Sequence, residues 1–393
     1  MTTIQYDPFS AEVRENPLPI YKRLRDESPV HYMPEYDAWA ISRFQDIWDL
    51  SSRTDLSAAR GTTPAQLLTK DQPVSAMINL MDPPDHTQLR SAIRKCFLPK
   101  NVRAVEPLAR QLANDLLDAV SGQAEFDAIN DFAARLSVTV ACTAIGLPVE
   151  DGPQLTKLVQ RFFSHDPDAG GMTDAGLAAL GELNAYCEDM VKARRRSAPD
   201  STDAIDAVLR FEPSGGGLSD VDAASHVTML IIGGSETFPK VFASGLLRLW
   251  EHPEQRARLA EDPSGIDDAF NEILRYDMPT QFLGRTVVSD FQLHGETLRA
   301  GQPVIFLYAS ANRDEREFED PDVFDIARKP ARILSFGAGN HACLGTHVAR
   351  MEGRVCFGAV LERFPEYELD LEKSVRLRTE FVQGFASLPL RIR

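Results

Sequence analysis

Cysteine is scarce and unpaired in this 393-residue chain: Cys96, Cys142, Cys187, Cys343 and Cys356 are odd in number and include no C-x-x-C pair. That argues against a disulfide framework and for a reducing, cytoplasmic setting. Long apolar runs are missing too; the longest stretch, residues 227–234, falls far short of the roughly 20 residues a membrane helix needs. Residues 1–26 mix Asp7, Glu12, Arg14, Glu15 and Pro17 and lack the basic-then-apolar order of a signal peptide. Positive charge is in deficit. Forty-two basic against fifty-eight acidic residues leave a net charge of −16, so the average surface repels nucleic acid and anionic lipid. No internal repeat, low-complexity tract or linker marks a domain boundary. There is also no G-x-G-x-x-G after a strand, no P-loop and no iron–sulfur cysteine run.

What is present is a soluble globular composition, 43% hydrophobic and 25% charged, long enough for two or three domains on length alone. Helical stripes dominate. Val105, Leu108, Leu112, Leu116 and Leu117 recur at helical spacing, and similar patterns run through 132–145, 178–191 and 266–275. Residues 30–42 read as a short hairpin, 286–308 as three strands with turns at His294-Gly295 and Ala300-Gly301, and 377–392 as a further β-rich stretch. The class is mainly α, with a smaller β part. Residues 59–81, 165–174 and 210–218 read as long loops.

The densest chemical signal is Phe336-Gly337-Ala338-Gly339-Asn340-His341-Ala342-Cys343-Leu344-Gly345, a glycine-rich loop entering an amphipathic helix. A thiolate there is stabilised by free backbone N–H groups and the helix dipole. Its glycines let backbone approach something bulky and flat. The other four cysteines read as small buried hydrophobes.

With this loop the sequence resembles the cytochrome P-450 family of haem-thiolate monooxygenases, whose cysteine loop reads F-x-x-G-x-[RH]-x-C-x-G. The resemblance spans nearly the whole chain. It implies a helix-rich triangular prism with small β-sheets (about 28–44, 286–308 and 377–392), holding haem b, iron protoporphyrin IX, between a long central helix and the cysteine-loop helix. Cys343 would be the iron ligand, with Phe336, Gly337 and Gly345 of its loop also binding the cofactor. His341, where many members carry arginine, would meet a haem propionate. So would His86 and Arg90 of an H-x-x-x-R, and Arg285. Convergence on one cofactor makes 1–393 a single domain.

Glu272-Ile273-Leu274-Arg275 matches the family's E-x-x-R, and Arg328, closing the segment Phe318-Glu319-Asp320-Pro321-Asp322-Val323-Phe324-Asp325-Ile326-Ala327-Arg328 that resembles a family motif, would complete that network as a structural trio. Ala311-Asn312-Arg313-Asp314 resembles a family turn. The helix expected over 219–252 opens with a Ser219/Asp222 cap. In it, Gly233-Gly234-Ser235-Glu236-Thr237 is similar to the family's small-G-x-[DE]-T, which implies Glu236 and Thr237 as the acid–alcohol pair that passes protons to reduced dioxygen. Pro239 departs from the usual pattern. It cannot donate to the Ser235 carbonyl and clashes with it, so the helix should open at 233–235.

Apolar residues placed by the resemblance near the substrate are Met77, Ile78, Met229, Ile232, Phe282, Phe381 and Val382, with Gly233 beside them; Leu67, Leu68, Phe162, Phe163, Met172 and Met278 are further candidates. They favour a hydrophobic small molecule such as a terpenoid, steroid, fatty acyl or aromatic compound. The implied partners are a ferredoxin and its NAD(P)H-dependent reductase, docking on a basic face of Arg94, Lys95, Lys100, Arg103, Arg332, Arg350 and Arg354. Nucleic acid and membrane are not expected, and a monomer is. Competing readings are a peroxide-driven peroxygenase, a haem-binding sensor or carrier, and a zinc hydrolase using His341, Cys343 and His347.

Overall fold

Helices form where apolar spacing directs them. The computed structural model describes residues 4–70, 77–163, 173–197, 203–214 and 216–392, so Met172 and most of the 165–174 loop lie outside the described residues. The helices that position the site are α1 (Asp85–Arg94), α2 (Pro99–Val120), α3 (Ala134–Ile145), α4 (Gly152–Phe162) and α5 (Asp174–Ser197), then α6 (Asp220–Ser235), α7 (Thr237–Glu251), α8 (Ile266–Tyr276) and α9 (Thr346–Arg363). In α2, Ala109, Ala113, Leu116, Leu117 and Val120 are buried, which is one face of a 3.6-residue period. Ser219 caps α6 by accepting the Asp222 N–H at 3.1 Å.

The single helix expected over 219–252 is two helices. α6 ends at Ser235, and Glu236, at φ −104° and ψ −33°, separates it from α7. The break lies one turn before Pro239, whose ring and missing N–H disrupt the bond to the Ser235 carbonyl. A second correction concerns apolar length. Residues 128–145, a π-helical turn leading into α3, are long and apolar enough to cross a membrane, though most of that helix is buried in the core. The 59–81 region also carries a short helix, Pro64–Leu67, closed by a Thr63/Gln66 capping box.

The main sheet has five strands: β1 (Val30–Met33), β2 (Ala38–Ile41), β3 (Leu56–Ser57), β4 (Leu283–Val287) and β5 (Pro303–Phe306), in the order β1-β2-β5-β4-β3. β2 runs parallel to β5, and β4 antiparallel to it, with Arg285 opposite Val304. The stretch expected as three strands contains four, because Phe291–Leu293 and Glu296–Leu298 form a separate hairpin between β4 and β5. Its turn places His294 and Gly295 at positive φ. Near the C-terminus β6 (Val375–Arg378) pairs with β7 (Gln383–Ser387).

Two of the four apolar clusters are the largest. One joins α2, α7, α8 and α9 through Leu117, Phe242, Phe270, Ile273 and Phe357. The other joins α3, α5 and α6 through Val138, Cys142, Leu183, Cys187 and Ile231. Val348, at the start of α9, packs against both.

Candidate active site

The cysteine loop is built by close backbone approaches. The Cys343 N–H donates to the Phe336 carbonyl at 2.7 Å, and the Gly337 N–H to Leu334 at 2.8 Å. Gly337 and Gly339 both sit at φ +64°, and a Cβ on Gly339 would fall 2.1 Å from the Ser51 carbonyl oxygen. Only glycine fits there. The Thr346 hydroxyl donates to the Cys343 carbonyl at 3.0 Å as α9 begins. Cys343 lies deep in the protein, where burial pushes its thiol pKa up while the Gly345 N–H, Arg90 and Thr346 pull it down. The residue is nevertheless exposed, so it borders an interior space.

Beside this loop stands a group of bases, with the Asp82 carboxylate acting on two of them, His86 and Arg285. The His86 and His341 rings stack at 4.0 Å. His86 is 1% exposed, and neither ring nitrogen has a partner among the described residues. Burial, then Arg90 and Arg285, lower its pKa to about 4; burial and the same neighbours push His341 to about 2. Arg285 is buried and, among the described residues, donates only to the Gly284 carbonyl before it, at 2.7 Å. Arg90 donates to the Ala342 carbonyl of the cysteine loop.

The cysteine loop is anchored to α8. Arg275 donates to both Glu272 oxygens at 2.7 and 2.8 Å, fully buried, and Arg328 reaches Glu272 at 3.3 Å. Arg275 also donates to the Asn312 carbonyl at 2.9 Å. The Asn312 side chain binds Ser335 at 2.9 Å and the Leu334 N–H at 2.8 Å. The chain Glu272–Arg275–Asn312–Ser335 thus fixes the strand of loop that leads into Phe336.

At the α6/α7 break the Gly234 carbonyl accepts the Ser137 hydroxyl of α3 at 2.9 Å. Ser137 also hydrogen-bonds the buried Glu352 carboxyl of α9, whose pKa burial raises well above the usual range. Gly233 and Thr237, four apart, are exposed, and Met229, one turn earlier, is half-buried, although Ile231, Ile232, Ser235 and Phe238 beside them are buried. This stripe opens on interior space. The Glu236 carboxylate is paired with Lys240.

The Cytochrome P450 family model matches residues 266–392. Over 413 aligned residues the chain is 33% identical to cytochrome P450 130 of Mycobacterium tuberculosis, covering 100% of both proteins. It therefore belongs to the cytochrome P450 family. It is also 33% identical to the vitamin D(3) 25-hydroxylase of Pseudonocardia autotrophica, over 99% of this chain and 96% of that one. The crystal structure of P450BioI with a hexadec-9Z-enoic acid ligated acyl carrier protein matches with TM-score 0.86 at 29% identity, covering 98% and 99%.

As in other P450s, the cofactor is haem. The chain's donors fit it: an exposed thiol suits the iron, and His86, His341, Arg90 and Arg285, which outnumber the nearby Asp82 carboxylate, suit its acidic propionates. Bound haem supplies the activation of dioxygen in a monooxygenase. Among the described residues no cluster of three His, Cys, Asp or Glu is placed to hold a metal ion, so the zinc arrangement of His341, Cys343 and His347 does not form.

The candidate pocket residues divide. Met229, Gly233 and Thr237 share the open stripe, and Ile78 and Ile232 pack in one cluster. Met77 and Val382 are buried, and Phe381 is half-buried. Phe282 is packed in another cluster with Leu67, Leu68 and Ile305. Of the expected basic face, Arg332 is held by Glu317 at 2.8 Å, Arg354 by Asp267 and Glu106, and Arg350 by Asn271 and the Phe336 ring. Arg94, Lys95, Lys100 and Arg103 are exposed. Sequence reasoning passes over Lys240, Ser137 and Glu352. For Lys240 the signal was a lone lysine in the apolar run Phe238–Leu249.

Proposed function

We propose that this P450 is a soluble, single-domain, monomeric cytoplasmic enzyme that takes electrons from a ferredoxin and its reductase. It hydroxylates or epoxidises a small hydrophobic molecule of the terpenoid, steroid, fatty acyl or aromatic kind. The observation that carries this reading is the open stripe Met229–Gly233–Thr237, apolar except for one hydroxyl. Such a wall orients an apolar substrate by exclusion of water and keeps a single alcohol for proton handling. The relatives agree in kind, one being named for vitamin D(3) and one structure holding a long acyl chain.

Glu236 and Thr237 are the proton-handling residues, and His86, Arg90, Arg285 and His341 hold the propionates. The donor docks at Arg94, Lys95, Lys100 and Arg103, around exposed Leu98. These cations reverse the −16 background locally and would steer an acidic partner. Arg94 also acts on His347 near the cysteine loop, which supports docking on the cysteine side.

The ferrous–carbon monoxide spectrum tests thiolate ligation: a strongly red-shifted Soret band is expected, and a colourless protein overturns the reading. Hydrophobic compounds are then screened by Soret shift, and the hits are assayed with ferredoxin and reductase. Charge reversal at Arg94 and Lys95 should slow reduction; turnover with peroxide alone would instead mark a peroxygenase.

A further inference from the structure

Lys240 is left without a role by the acid–alcohol reading. It lies three residues beyond Thr237, is 3% exposed, and is flanked by the buried Phe238, Pro239, Val241 and Phe242. Its ammonium contacts the Glu236 carboxylate and lies 3.5 Å from the Glu236 carbonyl oxygen. The stem packs on Gly384 of β7, where an added Cβ would come within 3.1 Å of the Lys240 Cβ, and the Phe163 ring after α4 lies 5.5 Å away. Among the described residues no other acid or base contacts it.

Enclosure changes what such a pair can do. A surface Glu–Lys pair stays ionised, whereas burial penalises both charges and brings the amine/carboxylic-acid form within reach. Burial alone draws the ammonium down to about 7. The carboxylate against it pulls the other way, and the contact is direct, so the two groups titrate as one unit.

We propose that Lys240 is the proton carrier behind Glu236, acting through that carboxylate. A Lys240 Nζ–H bond breaks as a Glu236 Oε–H bond forms, leaving a neutral amine and a carboxylic acid. The acid releases its proton towards Thr237, and the amine takes one from solvent. One solvent proton moves and no electrons do. Lys240 acts through Glu236 and is a positioning residue. The proposal rests on Glu236 and Thr237 being the acid–alcohol pair.

The test compares Lys240→Met, Lys240→Arg, Glu236→Gln and Thr237→Ala in the holoenzyme. Arginine keeps the charge but does not release a proton. Product formed per electron should fall on the order of tenfold in both Lys240 variants. In the resting ferric enzyme, without turnover, the infrared carboxyl band removed by Glu236→Gln should titrate at higher pH in Lys240→Met and at lower pH in Lys240→Arg. Wild-type coupling in Lys240→Arg would make the lysine a fixed counter-ion and overturn the carrier role. Unchanged coupling in Lys240→Met overturns it as well. If Lys240→Met does not fold, the Lys240→Arg arm decides. If Glu236→Gln and Thr237→Ala leave coupling intact, the acid–alcohol reading itself fails.

Discussion

In the network that anchors the cysteine loop to α8, buried polar groups have used their bonding capacity. Glu272 accepts from Arg275, Arg328 and the Asp325 N–H, and Arg275 donates on to Asn312 and Pro321 carbonyls. On the α6 side they have not. The His226 Nδ1 of α6 and the Asn184 Oδ1 of α5 are buried without partners among the described residues, and the Gly234 carbonyl is held by a side chain rather than by its own helix. A saturated network has one arrangement, and losing any member leaves a charge stranded. A wall with spare donors can repack around different ligands. On the proposed function, this sets Cys343 in the inflexible half and substrate choice in the adaptable one.

The hardest way to break this contrast is Glu272→Gln. It strands the Arg275 guanidinium at 0% side-chain exposure and should cost about 3–5 kcal/mol. Urea midpoints and haem content measure it, and a loss under about 1 kcal/mol would show that the network is not saturated in the sense argued.

Legibility in the sequence follows the same division. Glu272/Arg275, His86/Arg90 and the cysteine loop are short-range spacings, so one stretch of chain displays the whole device. Pro239 likewise announces the helix break, because its effect reaches only four residues back. Lys240 is different. Its burial depends on Phe163 and Gly384, far away in the chain, and no local pattern encodes that. The same holds for Arg332, Arg350 and Arg354, whose partners Glu317, Asn271, Asp267 and Glu106 are fixed by tertiary packing. The helical run 128–145 is hard to see as one apolar span because Asn130, Asp131 and Arg135 interrupt its apolar residues.

A middle-sized effect probes the adaptable half by pH. Burial lowers the His226 pKa to about 4, with Asp222 opposing, against about 6.5 in an unfolded chain. The imidazole is therefore neutral when folded. Stability from this site is complete above pH about 6.5 and is lost as pH falls towards 4, because the unfolded chain takes up the proton first; the loss approaches about 3 kcal/mol. His226→Leu should remove its share of the slope across that window and leave the share of His86 and His341, whose pKa values burial also lowers. An unaltered acid limb, followed by urea unfolding between pH 7 and 4, would move the acid-sensitive group elsewhere.

The smallest effect sets one glycine from each half against the other. A Cβ on Gly353, in α9, would sit 2.8 Å from Phe270 ring carbons, whereas one on Gly233, in α6, meets only the Met229 Cε at 3.6 Å. Gly353→Ala overpacks a filled interface and should cost about 1–3 kcal/mol. Gly233→Ala gains the helix preference of alanine without a clash and should stabilise the fold by about 0.5–1 kcal/mol. The added methyl projects from the open stripe, so the same variant should bind hydrophobic ligands more weakly in Soret titrations. Opposite signs in stability, with weaker ligand binding confined to Gly233→Ala, are what a packed half and an open half require; equal signs would mean that the stripe is ordinary core.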